Sequence, residues 1–211
     1  ALVSGRTHLV GVIVPYVCSY WESQEIDALT TALQNEGFAT LLFKTRTDYS
    51  MDEQLLAYMR GFNPDSVIAF VENVKPRTLA RFLDRAVPIY VDYPTSGVEG
   101  PRESGPLHDR LNILQRDGID QAVALLQGYG VRRIAYLAGV DKSRASIARE
   151  NTLRQVMAGR GFAPPLVVPG DFGYDAAYQA TIDLFRVGEG TEAIFAANDV
   201  SAFGAMDALR H

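Results

Sequence analysis

Apolar positions along the chain fall into short runs separated by longer segments of helical period. Leu9-Val10-Gly11-Val12-Ile13-Val14 is a β-branched run stopped by Pro15, the pattern of a buried strand. From about Trp21 to Asn35 the residues Ile26, Leu29 and Leu33, with Ala28 and Ala32 beside them, recur on one helix face. Gly37 follows as a C-terminal cap, because glycine takes the left-handed conformation cheaply. The unit then repeats as strand Thr40 to Phe43, helix Met51 to Arg60, strand Val67 to Val71, helix Pro76 to Asp84 and strand Ile89 to Val91. Pro76 fits a first helical turn, where its missing N–H costs nothing. Residues 92–106 hold three prolines and three glycines without a hydrophobic period, and read as a surface loop.

The alternation resumes with a short strand at Leu111 to Leu114 and a helix carrying Ile119, Ala122, Val123, Leu126 and Tyr129 on one face, closed by Gly128 and Gly130. Strand Arg133 to Leu137, helix Ser146 to Arg160 and strand Leu166 to Val168 come next, then a loop and helix in GDFGYDAAYQATIDLF. Ala193 to Ala197 is an apolar run with no polar alternation, which suits a parallel strand covered on both faces. The polar pair Asn198-Asp199 interrupts it, and Ala202, Ala205, Met206 and Leu209 continue at helical spacing. Strand and helix alternate throughout, so the expected class is α/β. About seven such units exceed one small sheet, which predicts two doubly wound parallel-sheet lobes, residues 1–130 and 131–211.

Composition narrows the function. With 211 residues, 47% hydrophobic and 21% charged, the chain has the make-up of a soluble globular protein. A net charge of −5, from 20 basic and 25 acidic residues, leaves no basic face for a phosphate backbone. The single cysteine, Cys18, excludes an internal disulfide and a multi-cysteine zinc site. No apolar run approaches the roughly 18 residues of a membrane span, and the opening ALVSGRTHL carries no secretory pattern.

Candidate chemistry sits at strand ends. Asn198 and Asp199 close a strand, and open α/β sheets bind ligands in the crevice outside such ends. The competing role is that Asp199 caps the helix, but a cap needs only one of the two. Enzyme signatures are missing: there is no G-x-G-x-x-G after the first strand, no Walker-type lysine loop and no G-x-S-x-G elbow. His8, His108 and His211 are scattered without metal-ligand spacing. Neither catalysis nor a cofactor is expected.

In order along the chain, GRTHLVGVIVP at 5–15, Tyr20-Trp21, RDGIDQAVALLQGYGVRRIAYLAG at 116–139, Arg149, GDFGY at 170–174 and FAANDVSAFGAMDAL at 195–209 resemble the effector-binding domain of LacI/GalR bacterial transcriptional regulators. The resemblance covers nearly the whole chain; each motif is weak alone and the combination is specific. It implies a periplasmic-binding-protein-like fold whose two lobes clamp a small molecule, a sugar or related polyol before a purine, to modulate operator binding. It also implies a homodimer, a cytoplasmic location, no membrane contact, and DNA contact through an N-terminal helix-turn-helix domain outside this chain. The chain departs from the pattern at Gly130-Val131, where Gly-His is usual, and at Thr152-Leu153. It ends at Arg210-His211, so the second lobe is expected to be incomplete as written. A periplasmic-type solute receptor of a transport system shares the fold and is the alternative.

The resemblance places Arg149, a rigid fork of five donors, against the ligand; the competing reading is a solvated helix-face charge beside Arg144 and Arg154. Asn198 and Asp199 would serve adjacent hydroxyls. Asp117 matches a family aspartate that faces the ligand, or else caps its helix with Gln121 near the capping-box position. Tyr20, Trp21 and Phe172 are the aromatic candidates for a wall, with Tyr16 a weaker one.

Overall fold

The computed structural model describes residues 6–14, 20–45, 53–70, 79, 87–92, 109–112, 114–141, 143–187 and 190–210. They form two compact units, divided between residues 113 and 114.

The first unit contains β1 (Leu9–Val14), α1 (Tyr20–Asn35), β2 (Ala39–Lys44), α2 (Glu53–Gly61), β3 (Ser66–Ala69), β4 (Val87–Asp92) and β5 (Asp109–Asn112). Its strands are all parallel, in the order β2-β1-β3-β4-β5. β1 reads as a continuous apolar run because both its faces are covered. Val10, Val12 and Val14 meet Ile26, Leu29 and Leu33 of α1, the face expected from their spacing. Ile13 joins Phe43, Leu56, Met59 and Val67 on the other side. Gly11 lies beneath Phe43: a Cβ there would stand 3.4 Å from both Phe43 Cε2 and Val67 Cγ2. Gly37 ends the α1 turn at φ +80°, as its position predicted.

The expected helix Pro76 to Asp84 lies outside the described residues apart from Leu79, which is helical and buried. Of the 92–106 loop, only Asp92 is described. The strand expected at Leu111 to Leu114 forms two residues earlier. Pairing with β4 sets its register, Ile89 opposite Asp109 and Asp92 opposite Asn112, and Leu114 stands 77% exposed.

The second unit contains α3 (Arg116–Gly128), β6 (Ile134–Ala138), α4 (Arg144–Gly159), β7 (Leu166–Pro169), α5 (Tyr174–Val187), β8 (Ala193–Ala196) and α6 (Asp199–Ala208). Its described strands are parallel in the order β7-β6-β8. β6 is buried throughout. Ile134, Tyr136 and Ala138 pack with Ile119 and Val123 of α3 and with Leu153, Val156 and Met157 of α4. Leu137 packs on the opposite face with Ala177 of α5 and Ala205 of α6.

Three expectations are corrected here. The division falls after β5 rather than near Gly130, because α3 shares the core of β6 and α4. Arg160 also grips Asp120 of α3 with two hydrogen bonds, Nε to Oδ1 at 2.8 Å and Nη2 to Oδ2 at 2.6 Å. Tyr129, assigned to the inner face of α3, is 78% exposed, since it lies past the last helical residue where the chain turns through Gly130 at φ +83°. Finally, β8 does meet core on both faces, but among the described residues it pairs only with β6, so its residues are half-buried rather than buried.

Both units fasten the entry to their inner strand in the same way. Asp65, just before β3, accepts the N–H groups of Thr7 (3.0 Å) and His8 (2.8 Å) ahead of β1. Glu192, just before β8, accepts those of Arg132 (2.6 Å) and Arg133 (2.9 Å) ahead of β6. These backbone hydrogen bonds hold both carboxyls below their ordinary pKa values of 3.8 for Asp65 and 4.5 for Glu192. A carboxyl depressed in the folded state stabilises the fold above its unfolded pKa and loses that contribution as pH falls through its folded value. Glu192→Gln is therefore expected to lower the urea midpoint at neutral pH, while wild type and variant converge once the pH is well below 4.5. Parallel curves at all pH values would refute this role for the carboxylate.

Candidate functional site

β7 and β8 flank β6 on opposite sides, so the winding of the second sheet reverses between β6 and β8. In open parallel sheets the crevice outside the carboxyl ends at such a reversal is where ligands bind. The backbone there is tightly joined. Gly170 N–H donates to Ala138 O and Ala197 N–H to Leu137 O, each at 2.9 Å. Ser143 caps α4, its hydroxyl accepting from Ser146 N–H at 3.3 Å, and Ser146 Oγ in turn accepts from Gly139 N–H at 3.1 Å.

The polar pair after β8 divides its work. Asn198 has extended backbone angles and is the helix cap: its Oδ1 accepts from Ser201 N–H at 2.9 Å. Its Nδ2 donates to Phe172 O at 3.1 Å, which ties the loop after β7 to the start of α6. Asn198 is thereby committed to structure. Asp199 is the first residue of α6, exposed, and has no partner among the described residues. The carboxylate that capping did not need is the one left open.

Arg149 projects from the second turn of α4 and is half-buried. Its Nε donates to Gln115 Oε1 at 2.9 Å and its Nη1 donates to the carbonyl of Ala197. No carboxylate pairs with it among the described residues. It is not the solvated helix-face charge of the competing reading. Arg154 plays that part, paired with Glu150 one turn away at 2.8 Å. Gln115 occupies the cap position of α3 without capping it, because its side chain is turned to Arg149. Asp117 is not the cap either; it lies exposed in the first turn, without a described partner.

Phe172 is buried, 8% exposed, and belongs to the core that contains Tyr136, Ala138 and Ala197. The reason is Gly139: a Cβ there would lie 2.1 Å from Phe172 Cζ, so only a bare backbone admits the ring. Asp171 and Phe172 both take positive φ, +49° and +57°, an uncommon state for residues with side chains. Burial of the ring and the Asn198 hydrogen bond to its carbonyl hold it there. The ring is thus seated on Gly139 and not displayed as a free-standing wall.

Tyr20 and Trp21 open α1 in the first unit, and their side chains lie outside the described residues, as do Tyr16 and Cys18. His8 stacks at a tilt on Phe38, ring centres 5.7 Å apart. Among the described residues no three His, Cys, Asp or Glu side chains gather where a metal ion would sit. The site therefore brings together Arg149, Phe172 and Asn198 of the sequence candidates, with Asp117 and Asp199 on the adjoining first turns. It adds Gln115, Gly139 and Ser146. Gly139, directly after the apolar run of β6, carried a readable signal; Gln115 and Ser146 carried none, since their roles depend on contacts between elements.

No family model matches the chain. It is 30% identical over 184 residues to the HTH-type transcriptional regulator CelR of Thermobifida fusca, covering 85% of this chain and 52% of that protein. The structure of a CelR–cellobiose complex superposes with a TM-score of 0.77 at 25% identity, over 97% of this chain and 63% of that one. The Lac repressor dimer bound to operator and the anti-inducer ONPF superposes with a TM-score of 0.81 over 99% of this chain and 71% of that one; at 18% identity this likeness shows the fold. The chain is thus similar in sequence to HTH-type transcriptional regulators and shares its fold with LacI-family regulators. It spans about half the length of the curated CelR relative. In LacI-family terms the fold is periplasmic-binding-protein-like, as the sequence resemblance implied.

The fit of Phe172 on Gly139 gives a stability test. Gly139→Ala overfills the loop and is expected to cost about 1–3 kcal/mol in urea unfolding. The same alanine in a Phe172→Leu background should cost clearly less. Equal costs in both backgrounds would show that the ring does not set the requirement for glycine.

Proposed function

We propose that the carboxyl end of the second sheet binds a small-molecule effector, and that its occupancy modulates operator binding by the full-length regulator. The observation that carries this reading is Arg149: a half-buried cation held by two neutral oxygens and no carboxylate among the described residues, at the point where the winding reverses. Two of its five N–H groups are engaged, which leaves three for a ligand. Asp117 and Asp199, both exposed and uncommitted, supply acceptors on neighbouring helix starts. Donors and acceptors in that mixture suit the paired hydroxyls of a sugar or related polyol. A purine fits less well, because the face of Phe172 is taken up by Gly139.

DNA contact is assigned to a helix-turn-helix domain of the whole protein, as in the HTH-type relatives. The effector acts by favouring one of two arrangements, and it shifts their balance only as far as its affinities for them differ. The same reading places the protein in the cytoplasm; no helix among the described residues is long and apolar enough to cross a membrane.

A homodimer is proposed through α6. Phe203, Met206 and Leu209 stand 60%, 49% and 55% exposed on a helix whose opposite side, Ser201, Gly204 and Ala205, is buried. An exposed apolar face beside a buried one is a surface that a partner covers.

Cellobiose, the sugar bound by the CelR relative, is the first probe. Arg149→Ala and Asp199→Ala are each expected to abolish its binding in calorimetry with circular dichroism unchanged. Wild-type affinity in both variants would refute the assignment of the site. Phe203→Lys is expected to give a monomer in sedimentation at micromolar concentration; an unchanged dimer would place the interface elsewhere.

A further inference from the structure

Arginine hydrogen bonds bridge α3 and α4 at several levels, and the acceptor changes along the way. Just past the end of α4, Arg160 is closed on Asp120 by bonds of 2.8 and 2.6 Å. Further back, Arg116 Nη1 donates to Gln155 Oε1 at 3.2 Å. In the second turn of α4, Arg149 Nε donates to Gln115 Oε1 at 2.9 Å. A carboxylate thus gives way to an amide toward the strand ends where the proposed site lies.

Gln115 is an uncommon residue for the place it holds. It stands at the N-cap of α3, where Ser, Thr, Asp or Asn is favoured because a short side chain reaches the free N–H groups. Its side chain makes no capping bond. Its carbonyl accepts from Ile119 N–H at 3.1 Å, and Ile119 is buried in the core that α3 shares with β6 and α4. The backbone beneath Gln115 is therefore fixed, and the side chain reaches α4 from a rigid base. A neutral amide accepts the hydrogen bond and leaves the guanidinium its full charge. Asp117 shows that a carboxylate is close by in the chain, yet it is exposed and makes no bond to Arg149.

We propose that Gln115 is a positioning residue of the effector site: it fixes the Nε edge of Arg149 without neutralising it. The inference rests on the effector-site reading. With Nη1 tied to the Ala197 carbonyl, both Nη2 hydrogens and one on Nη1 stay open to a ligand. Hydrogen bonds from an ionised donor are about twice as strong as neutral ones, and a carboxylate at position 115 would compete for that charge.

Gln115→Glu keeps the side-chain length and the acceptor but turns the contact into an ion pair, whereas Gln115→Ala removes it. In the full-length protein, NMR is expected to show hydrogen exchange at Arg149 Nε–H about tenfold faster in Gln115→Ala, the factor for losing a hydrogen bond to a charged group. In Gln115→Glu the exchange should be no faster than in wild type, and the urea midpoint no lower. Cellobiose affinity measured by calorimetry is nevertheless expected to fall about tenfold in both variants. Glutamate would rescue a merely structural contact, so wild-type affinity or a lowered midpoint in Gln115→Glu overturns the proposal, as does unchanged exchange in Gln115→Ala. Wild-type protein that ignores cellobiose counts instead against that effector assignment, and the exchange rates then decide whether Gln115 holds Arg149.

Discussion

A guanidinium held by neutral oxygens is the point on which the second unit turns. Arg149 reaches from α4 to Gln115 at the head of α3 and to the carbonyl that follows β8, so one side chain ties two helices to a strand end. A cation removed part-way from water needs compensation, and here it comes from dipoles instead of a carboxylate. The elements are therefore aligned while the charge itself stays unspent. Had an aspartate closed on Arg149, the same geometry would have been a structural ion pair, like Asp120 with Arg160, and nothing more.

Around that fork each loop is shaped by what it must leave room for. Gly139 is bare so that Phe172 can be seated on it, and Phe172 accepts a left-handed backbone in return for burial. Asn198 serves two masters, capping α6 and holding the Phe172 carbonyl, and this frees Asp199 beside it. The three loops are locked to one another by hydrogen bonds, and among the described residues Asp199 is left uncommitted. Were the proposed effector to bind there, such preorganisation would keep small the ordering it has to impose.

Much of this was legible in the sequence, because it is written in local pattern. The apolar run of β1, the face of α1 and the strand-turn-helix ending in Asn198-Asp199 follow from periodicity, but the pattern does not say which of the pair caps α6: the expected cap was Asp199, and the cap is Asn198. What stayed hidden depends on packing partners. α3 follows a strand of the first sheet yet packs on the second, so the unit boundary cannot be read from the alternation alone. Tyr129 has the right spacing for an inner face but falls beyond the turn where the helix stops. The short β5 takes its register from β4, against the lure of Leu111 to Leu114. Arg149 was chosen by resemblance; its neutral anchorage and the part of Gln115 are visible only in three dimensions.

The carboxylates before β3 and β8 give each unit a chemical polarity. The first N–H groups of a parallel strand form a small array of donors that any passing anion would find attractive. Asp65 and Glu192 fill those arrays from within the chain at the entries to β1 and β6. At the other pole of the second sheet the charged groups face outward with their valences open. Among the described residues of the second unit the two poles therefore differ: a carboxylate is matched to backbone N–H groups at one, and Asp117 and Asp199 stand open at the other.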